Sequence, residues 1–590
     1  MTLVNGMSVT AREAGPQSGT RGPEAFLGLE ARGWTPESVD CAPKLAALAS
    51  LALQPAPDPV ASVSYRSRGN LLVVAGDDPA RARECAERLA RSLHVTLLEA
   101  RPHAPSGAPY AAWHGSVEGA AGHLGEFDVA IAKLSAAGAE KSAGATAARF
   151  DLLLDFSAQP LFAMRQPPQG YFRAPRDPAA LEAVLAELRE AVGEFEKPRF
   201  FAYRESLCAH SRSRVKGCSA CIEVCSTEAI SSDGDHVRVD PHLCMGCGAC
   251  ATVCPSGAMG FQFPRVSERG AQLKQLLAAY RNAGGVDACI VFHDGRAGRE
   301  LLARAAATDG GLPARALPLE TWHVAAIGLD LLLPAIAYGA SQVVVLCAAG
   351  EDPQYVAALR EQMRIGEAIL AGLGRPQRHL ALVEAHDARS LADAFAALDP
   401  APESVAPAAF ALSNDKRTSI EFALEHLLKL APAPVSEIAL PEGAPWGEVR
   451  VDAGKCTMCM SCVGACPASA LMDGAERPLL RFVERNCVQC GLCEATCPEG
   501  AITLSPRLLL GAAAREARVL NETEPFRCIR CGKPFGTRQM IEAMLGRLGG
   551  HAMFARPGAL RRLQMCGDCR VVDIMSAKDE VSVLGLGDDS

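Results

Sequence analysis

Residues 244–255 read CMGCGACATVCP: Cys244, Cys247, Cys250 and Cys254 in a C-x2-C-x2-C-x3-C-P run. The same spacing returns at Cys456, Cys459, Cys462 and Cys466 before Pro467, and again at Cys487, Cys490, Cys493 and Cys497 before Pro498. A looser version stands at Cys208, Cys218, Cys221 and Cys225. Cys244 to Cys254 map onto Cys487 to Cys497 at one constant offset. Cys218, Cys221 and Cys225 map onto Cys459, Cys462 and Cys466 at another, two residues shorter. The four motifs therefore form two pairs, and the rest of the chain is read as what positions them.

Core packing does not produce paired runs of this kind. Structural zinc rarely uses C-x2-C-x2-C, which crowds three thiolates into one turn of backbone. A [4Fe–4S] cube suits it, because each iron takes one thiolate and a tight loop can wrap three irons while its amide N–H groups face the cluster sulfurs. The motifs resemble those of bacterial two-cluster ferredoxins, where the fourth ligand comes from the partner motif. That resemblance implies Cys487, Cys490 and Cys493 with Cys466, and Cys456, Cys459 and Cys462 with Cys497. It also implies Cys244, Cys247 and Cys250 with Cys225, and Cys218, Cys221 and Cys254 with one further cysteine. At this last ligand the sequence departs from the pattern. Val215 holds the usual first position and Ser226 replaces the proline. Cys208 is the nearest spare thiol and is expected to complete the cube, the alternative being a three-iron cluster or one labile iron. With every iron saturated by thiolate, such centres pass single electrons.

The tail carries two C-x2-C knuckles, Cys528/Cys531 and Cys566/Cys569. Four thiolates make a tetrahedral set, as in zinc ribbons, and predict a structural zinc; a rubredoxin-like iron is the rival. Cys41, Cys85, Cys289 and Cys347 stand alone in apolar settings and read as core.

The chain has 590 residues, too many for one core. Its net charge of -8 argues against nucleic acid as a main partner. Among the first twenty residues no basic segment leads into an apolar one, and no twin-arginine signal is present. With so many thiols in metal-ligand spacings, a reducing cytoplasm is expected. Residues 324–350 are long and apolar enough to suggest a membrane span. However, Asp330, Pro334 and residues 338–341 interrupt them, so a buried helix, a turn and a buried strand are predicted.

Around the cysteine motifs the pattern alternates between strands and helices. Strands are predicted at 71–75, 95–98, 127–132 and 152–156, with helices at 80–93 and 178–192. A second such region has strands at 288–292, 342–347 and 379–383, with helices at 271–283, 353–373 and 419–430. Alternation predicts parallel sheets with helices on their faces. The turn after residues 71–75 lacks both G-x-G-x-x-G and a Walker Lys-Ser/Thr pair, so the first sheet reads as structural. The basic loop Arg212, Arg214, Lys216 reads as solvated surface before a docking site. His323, beside Glu320 and Trp322, reads as locally satisfied.

The expected architecture is α/β and α+β multidomain. A loosely ordered segment (1–58), with a short helix expected at 41–53, precedes a parallel-sheet α/β domain (59–200) and a ferredoxin-like module (201–265). A second parallel-sheet α/β domain (266–430), a linker (431–445) and a second ferredoxin-like module (446–510) follow. A zinc-ribbon-like module (520–575) ends the series. Residues 286–374 resemble the delta subunit of methyl-viologen-reducing hydrogenases, with that subunit's cysteine ligands missing. The whole chain resembles the long iron–sulfur proteins that proteobacteria encode beside molybdenum formate dehydrogenases. The resemblance implies a soluble electron carrier with four [4Fe–4S] clusters, working between such a dehydrogenase and an acceptor protein. The alternative is an iron–sulfur subunit of a flavin- or nicotinamide-dependent oxidoreductase.

Overall fold

A computed structural model describes residues 3–4, 7–8, 42–101, 107–136, 146–307, 312–348, 350–399, 402–474, 477–555 and 558–576. It is a mixed α/β multidomain protein in which two small cysteine-bearing modules are held by two larger sheet domains. Cys41 lies outside the described residues.

The first sheet departs from the expectation of an all-parallel sheet. Its seven strands run in the order Tyr171–Arg173, Leu152–Asp155, Asn70–Val74, His94–Glu99, Ala111–His123, Glu126–Ala136, Thr146–Phe150. The first five are mutually parallel, and the last two pairings, fifth with sixth and sixth with seventh, are antiparallel, so the sheet is mixed. The strand Ala111–His123 is rich in alanine and glycine, residues of poor intrinsic strand preference. Pairing on both sides holds it in place. Helices do not cover both faces either. Pro79–Leu89 and Pro178–Glu190 lie on one face, through Ala82, Cys85 and Leu89 and through Leu181, Leu185 and Leu188. On the other face Phe162, from the loop after Leu152–Asp155, packs with Tyr171 and Phe127. Both helices start on an aspartate cap followed by proline: Asp78 accepts from the Arg81 N–H and Asp177 from the Ala180 N–H.

The second sheet is fully parallel, in the order Ala316–Thr321, Cys289–Asp294, Gln342–Ala348, Leu380–Ala385. Its two central strands are buried on both faces, as continuous apolar runs require. Residues 324–350 form a short turn Val324–Ala326, the buried helix Leu329–Ala337 and the central strand Gln342–Ala348. No helix among the described residues is long and apolar enough to cross a membrane. His323 is satisfied locally: its Nδ1 accepts from the Ala325 N–H at 3.2 Å. Cys85, Cys289 and Cys347 are buried.

The short helix expected within residues 41–53 forms, and a stretch expected to be a plain linker is structured. Within residues 1–58, the helix Ala42–Ala52 packs on Val266–Asn282 and buries Ala47 in the core of the second sheet domain. Within residues 431–445, Glu437–Ala439 pairs antiparallel with Ile502–Leu509 and buries Ile438 against the same core. In both cases a few apolar side chains find a large existing core, a tertiary effect that local composition does not signal.

Each module repeats one plan: two outer strands pair, a hairpin lies between, and two short helices carry cysteines. In the first, Phe201–Tyr203 pairs with Met259–Phe261 and Ile230–Asp233 with His236–Val239, around helices Ala220–Glu223 and Ala249–Val253. In the second, Gly447–Val451 pairs with Ile502–Leu509 and Leu471–Met472 with Leu479–Phe482, around helices Ser461–Ala465 and Leu492–Thr496.

Candidate iron–sulfur centres

Four cavities of similar size lie in the two modules, and each is lined by four cysteines. Cys225, Cys244, Cys247 and Cys250 line one. Cys208, Cys218, Cys221 and Cys254 line another. In the second module, Cys466, Cys487, Cys490 and Cys493 line a third, and Cys456, Cys459, Cys462 and Cys497 a fourth, each of about 20 Å³. The other walls are apolar, with Phe201, Val224 and Met245 in the first and Val449, Phe482 and Leu504 in the third. The structure thus groups the thiols as the cross-paired sets, Cys208 among them.

Left-handed backbone shapes the three regular loops. Gly246 and Gly248 (φ 79° and 78°), Met458 and Met460 (53° and 62°), and Gln489 and Gly491 (53° and 80°) occupy equivalent positions. Alternating right- and left-handed residues turn successive N–H groups to one side, which makes a concave anion-binding nest. The N–H groups of Gly246, Ala249, Gln489 and Leu492 thereby favour the thiolates of Cys244, Cys247, Cys487 and Cys490, partly offsetting burial. Glycine is needed in the Cys244 loop, where a Cβ at Gly246 would stand 2.6 Å from the Phe200 ring and one at Gly248 2.6 Å from the Ala326 Cβ. The crossing ligands receive an N–H from downstream residues: Met259 to Cys254 Sγ at 3.5 Å, Ala470 to Cys466 Sγ at 3.3 Å, and Ala501 to Cys497 Sγ at 3.3 Å. Bonds to ligand sulfur stabilise added negative charge on a cluster.

The Cys208 site reaches the same result differently. The ten-residue step from Cys208 to Cys218 folds as a β-hairpin, Ser211–Arg212 against Val215–Lys216. The Gly217 N–H donates to the His210 carbonyl and the Cys218 N–H to the Ala209 carbonyl, both at 2.8 Å. Zipping the hairpin brings Cys208 back beside Cys218. The turn Glu205–Leu207 leads into Cys208 as Glu484–Asn486 leads into Cys487, so Cys208 takes the place of a motif's first cysteine with a hairpin inserted after it. His210 locks the insertion, its Nδ1 bonded to the Cys218 carbonyl (2.9 Å) and its Nε2 to Ser232 Oγ (2.8 Å).

Burial pushes these thiols up: Cys221 to about 12, with Cys254, Cys218 and Cys208 adding repulsion, and Cys462 to about 12, with Cys456, Cys459 and Cys497. Cys247 rises to about 12 mainly by burial. Four thiolates gathered in an apolar cage need cations to offset their repulsion, so metal binding and proton release are coupled. The cages suit an iron–sulfur cube: four thiols each, N–H donors to sulfur, and walls that are largely apolar.

Three supports had no cysteine signature to mark them. Lys416, opening the helix Lys416–Lys429, donates to the carbonyls of Ala251, Thr252 and Cys254 at 2.8, 2.6 and 3.1 Å, and caps the short helix Ala249–Val253. Lys197, buried, donates to the carbonyls of His242 (2.7 Å) and Cys244 (2.9 Å). Tyr355, buried in the first turn of Pro353–Gly372, has its hydroxyl in contact with the Cys247 sulfur. Replacing Tyr355 with phenylalanine removes one hydrogen bond to a ligand sulfur and little volume. A loss of about 1 kcal/mol favouring the reduced state lowers that centre's midpoint by roughly 40 mV. An EPR-monitored titration should show one centre moved and the others unchanged; an unmoved set of midpoints would rule the contact out.

In the tail, the Sγ atoms of Cys528, Cys531, Cys566 and Cys569 all lie within 4.8 Å of one another. Cys531 and Cys566 are 3.7 Å apart, close to the roughly 3.8 Å edge of a sulfur tetrahedron around zinc at 2.3 Å. Burial opposes ionisation of Cys528, yet N–H groups of Cys566, Cys531 and Arg530 overcome it and pull the thiol down.

Two modules that turn sixteen of the chain's cysteines into dry, N–H-lined cages define an iron–sulfur electron-transfer protein. Residues 216–258 match one family model described as a 4Fe-4S dicluster domain, and residues 455–502 match a second model of the same description. The chain therefore carries two 4Fe-4S dicluster domains. The first match begins after Cys208. No curated protein matches the chain.

Proposed function

We propose that the chain holds four [4Fe–4S] clusters, one in each cysteine cage, and relays single electrons between a dehydrogenase and an acceptor protein. Cys208, Cys218, Cys221 and Cys254 hold one cluster and Cys225, Cys244, Cys247 and Cys250 the second. Cys466, Cys487, Cys490 and Cys493 hold the third, and Cys456, Cys459, Cys462 and Cys497 the fourth. The observation that carries this reading is that every cage offers four thiols, one for each iron, and leaves no iron open to substrate. The tail cysteines Cys528, Cys531, Cys566 and Cys569 hold a structural zinc. Resemblance over most of the chain points to a molybdenum formate dehydrogenase as donor, and the thiol-rich composition to the cytoplasm as the compartment.

The test is metal and sulfide analysis with EPR on anaerobically purified protein. About sixteen irons, matching acid-labile sulfide and one zinc per chain are expected. Formate with its dehydrogenase should then bleach the visible absorption. A colourless preparation without labile sulfide would end the proposal. A flavin spectrum, or direct reduction by NADH, would favour an oxidoreductase subunit instead.

A further inference from the structure

The two modules meet through their cysteine loops. Gly217 immediately precedes Cys218, and a Cβ there would stand 2.7 Å from Leu492 Cγ and 2.6 Å from the Ala209 carbonyl oxygen. Leu492 is fully buried and lies between Cys490 and Cys493 in the other module. The hairpin strand Val215–Lys216 packs along the helix Leu492–Thr496. Arg417 ties the same seam. Its guanidinium donates to the carbonyl of Pro255 (3.4 Å), next to Cys254, and to the carbonyls of Cys487 (3.2 Å), Arg485 (2.8 Å) and Pro445 (2.9 Å). Cys490 lies within electrostatic reach of Cys218, as Cys250 does of Cys221 and Cys493 of Cys462.

We infer that the four centres form one unbranched row, in the order Cys244 site, Cys208 site, Cys487 site, Cys456 site, with the irregular Cys208 site as the crossing between modules and Gly217 as its positioning residue. This rests on the four-cluster reading. Each hop is a one-electron exchange: the reduced centre on one side of the seam loses the electron that the oxidised centre on the other side gains, and no atom or proton moves. Tunnelling weakens steeply with distance, so what matters at the seam is how closely the loops approach. The absence of a side chain at Gly217 permits that approach.

The departure from regular spacing then has a physical reason. In the other three loops, residues two and four past the first cysteine are left-handed. Counted from Val215, these would be Gly217 and Ser219, but Ser219 has φ -122° and Gly217 is not left-handed. Supplying the ligand from Cys208 frees residues 215–217, just ahead of Cys218, from wrapping iron. They can run flat against Leu492.

The test uses the full-length protein, reduced stepwise under anaerobic conditions. Iron content is read first: fewer than four clusters would overturn the four-cluster reading itself, and the row with it. With four clusters present, wild-type EPR should show spin–spin broadening between a first-module and a second-module centre. Gly217→Val should lose that broadening while iron content and the broadening within each module stay. Arg417→Gln adds no bulk at the seam and should weaken the same interaction, so the seam remains testable if Gly217→Val does not fold. Two magnetically independent pairs in the wild type, or broadening intact in both variants, would overturn the inference.

Discussion

On the proposed four-cluster reading, replacing Cys208 with alanine is expected to cost between one and four of about sixteen irons, and nothing from the other three proposed centres. Cys208 is buried at the end of the turn Glu205–Leu207, and its thiol faces the same cavity as Cys218, Cys221 and Cys254. No other cysteine lines that cavity. Loss of one iron leaves a three-iron cluster, read as a new EPR signal in the oxidised protein; loss of all four leaves three centres. Either result breaks the row at its crossing, so electrons given to one module should not reach the other. Adding Val215→Cys to Cys208→Ala should not restore the missing iron, although position 215 is where the regular spacing puts a ligand. Val215 sits in the hairpin paired with Arg212, and the loop beyond it lacks the left-handed turns that aim the other first cysteines inward. Sixteen irons and an unchanged spectrum in Cys208→Ala would show that Cys208 is no ligand.

The cysteine groups were legible because the chemistry is local. A ligand loop needs its thiols at fixed short spacing, and that spacing is written in the chain. Cys208 was the hard case, since a hairpin between it and Cys218 hides the register; the shared lead-in, Glu205 three residues before Cys208 and Glu484 three before Cys487, was the available clue. Three strands of the second sheet, Cys289–Asp294, Gln342–Ala348 and Leu380–Ala385, were legible for a similar reason, being largely apolar runs, whereas its edge strand Ala316–Thr321, broken by Pro318 and Glu320, was missed. In the first sheet Asn70–Val74, His94–Glu99, Glu126–Ala136 and Leu152–Asp155 were legible, but Ala111–His123 was not. Ala111–His123 carries three glycines and little β-branched character, and its place is decided by the neighbours it pairs with. Lys197, Tyr355, Lys416 and Arg417 could not be found in advance, because each acts on a carbonyl or sulfur far away in sequence. Their contacts give the sheet domains a role: the second holds both modules through the paired residues Lys416 and Arg417, one on the Cys254 carbonyl and the other on that of Cys487.

The tail should behave as a metal-folded unit, and breaking its site gives the largest local effect expected anywhere in the chain. Its packed core is small: Cys528, Met565 and Cys566 are buried, with Phe535 and Cys569 partly so. Three of those five residues are proposed ligands, so removing the metal would leave little of that cluster. A segment of this size lacks the apolar burial to offset its chain entropy alone. Structural zinc supplies about 10–16 kcal/mol of apparent binding energy in comparable small sites, which is then folding energy. Cys566→Ser should therefore lose the zinc and open residues 525–576 to trypsin, which would cut at Arg527, Arg530, Arg538 and Arg547. Contacts to the second module, such as Thr537 Oγ1 on the Thr457 carbonyl at 2.9 Å, are too few to hold it. The proposed iron–sulfur centres should keep their absorption, because no tail cysteine lines the four cages. A rubredoxin-like iron would show itself differently: the wild type would carry a seventeenth iron, and Cys566→Ser would lose visible absorption along with the fold. If the variant stays protease-resistant with its metal gone, the tail is held by packing alone and the site has no structural part to play.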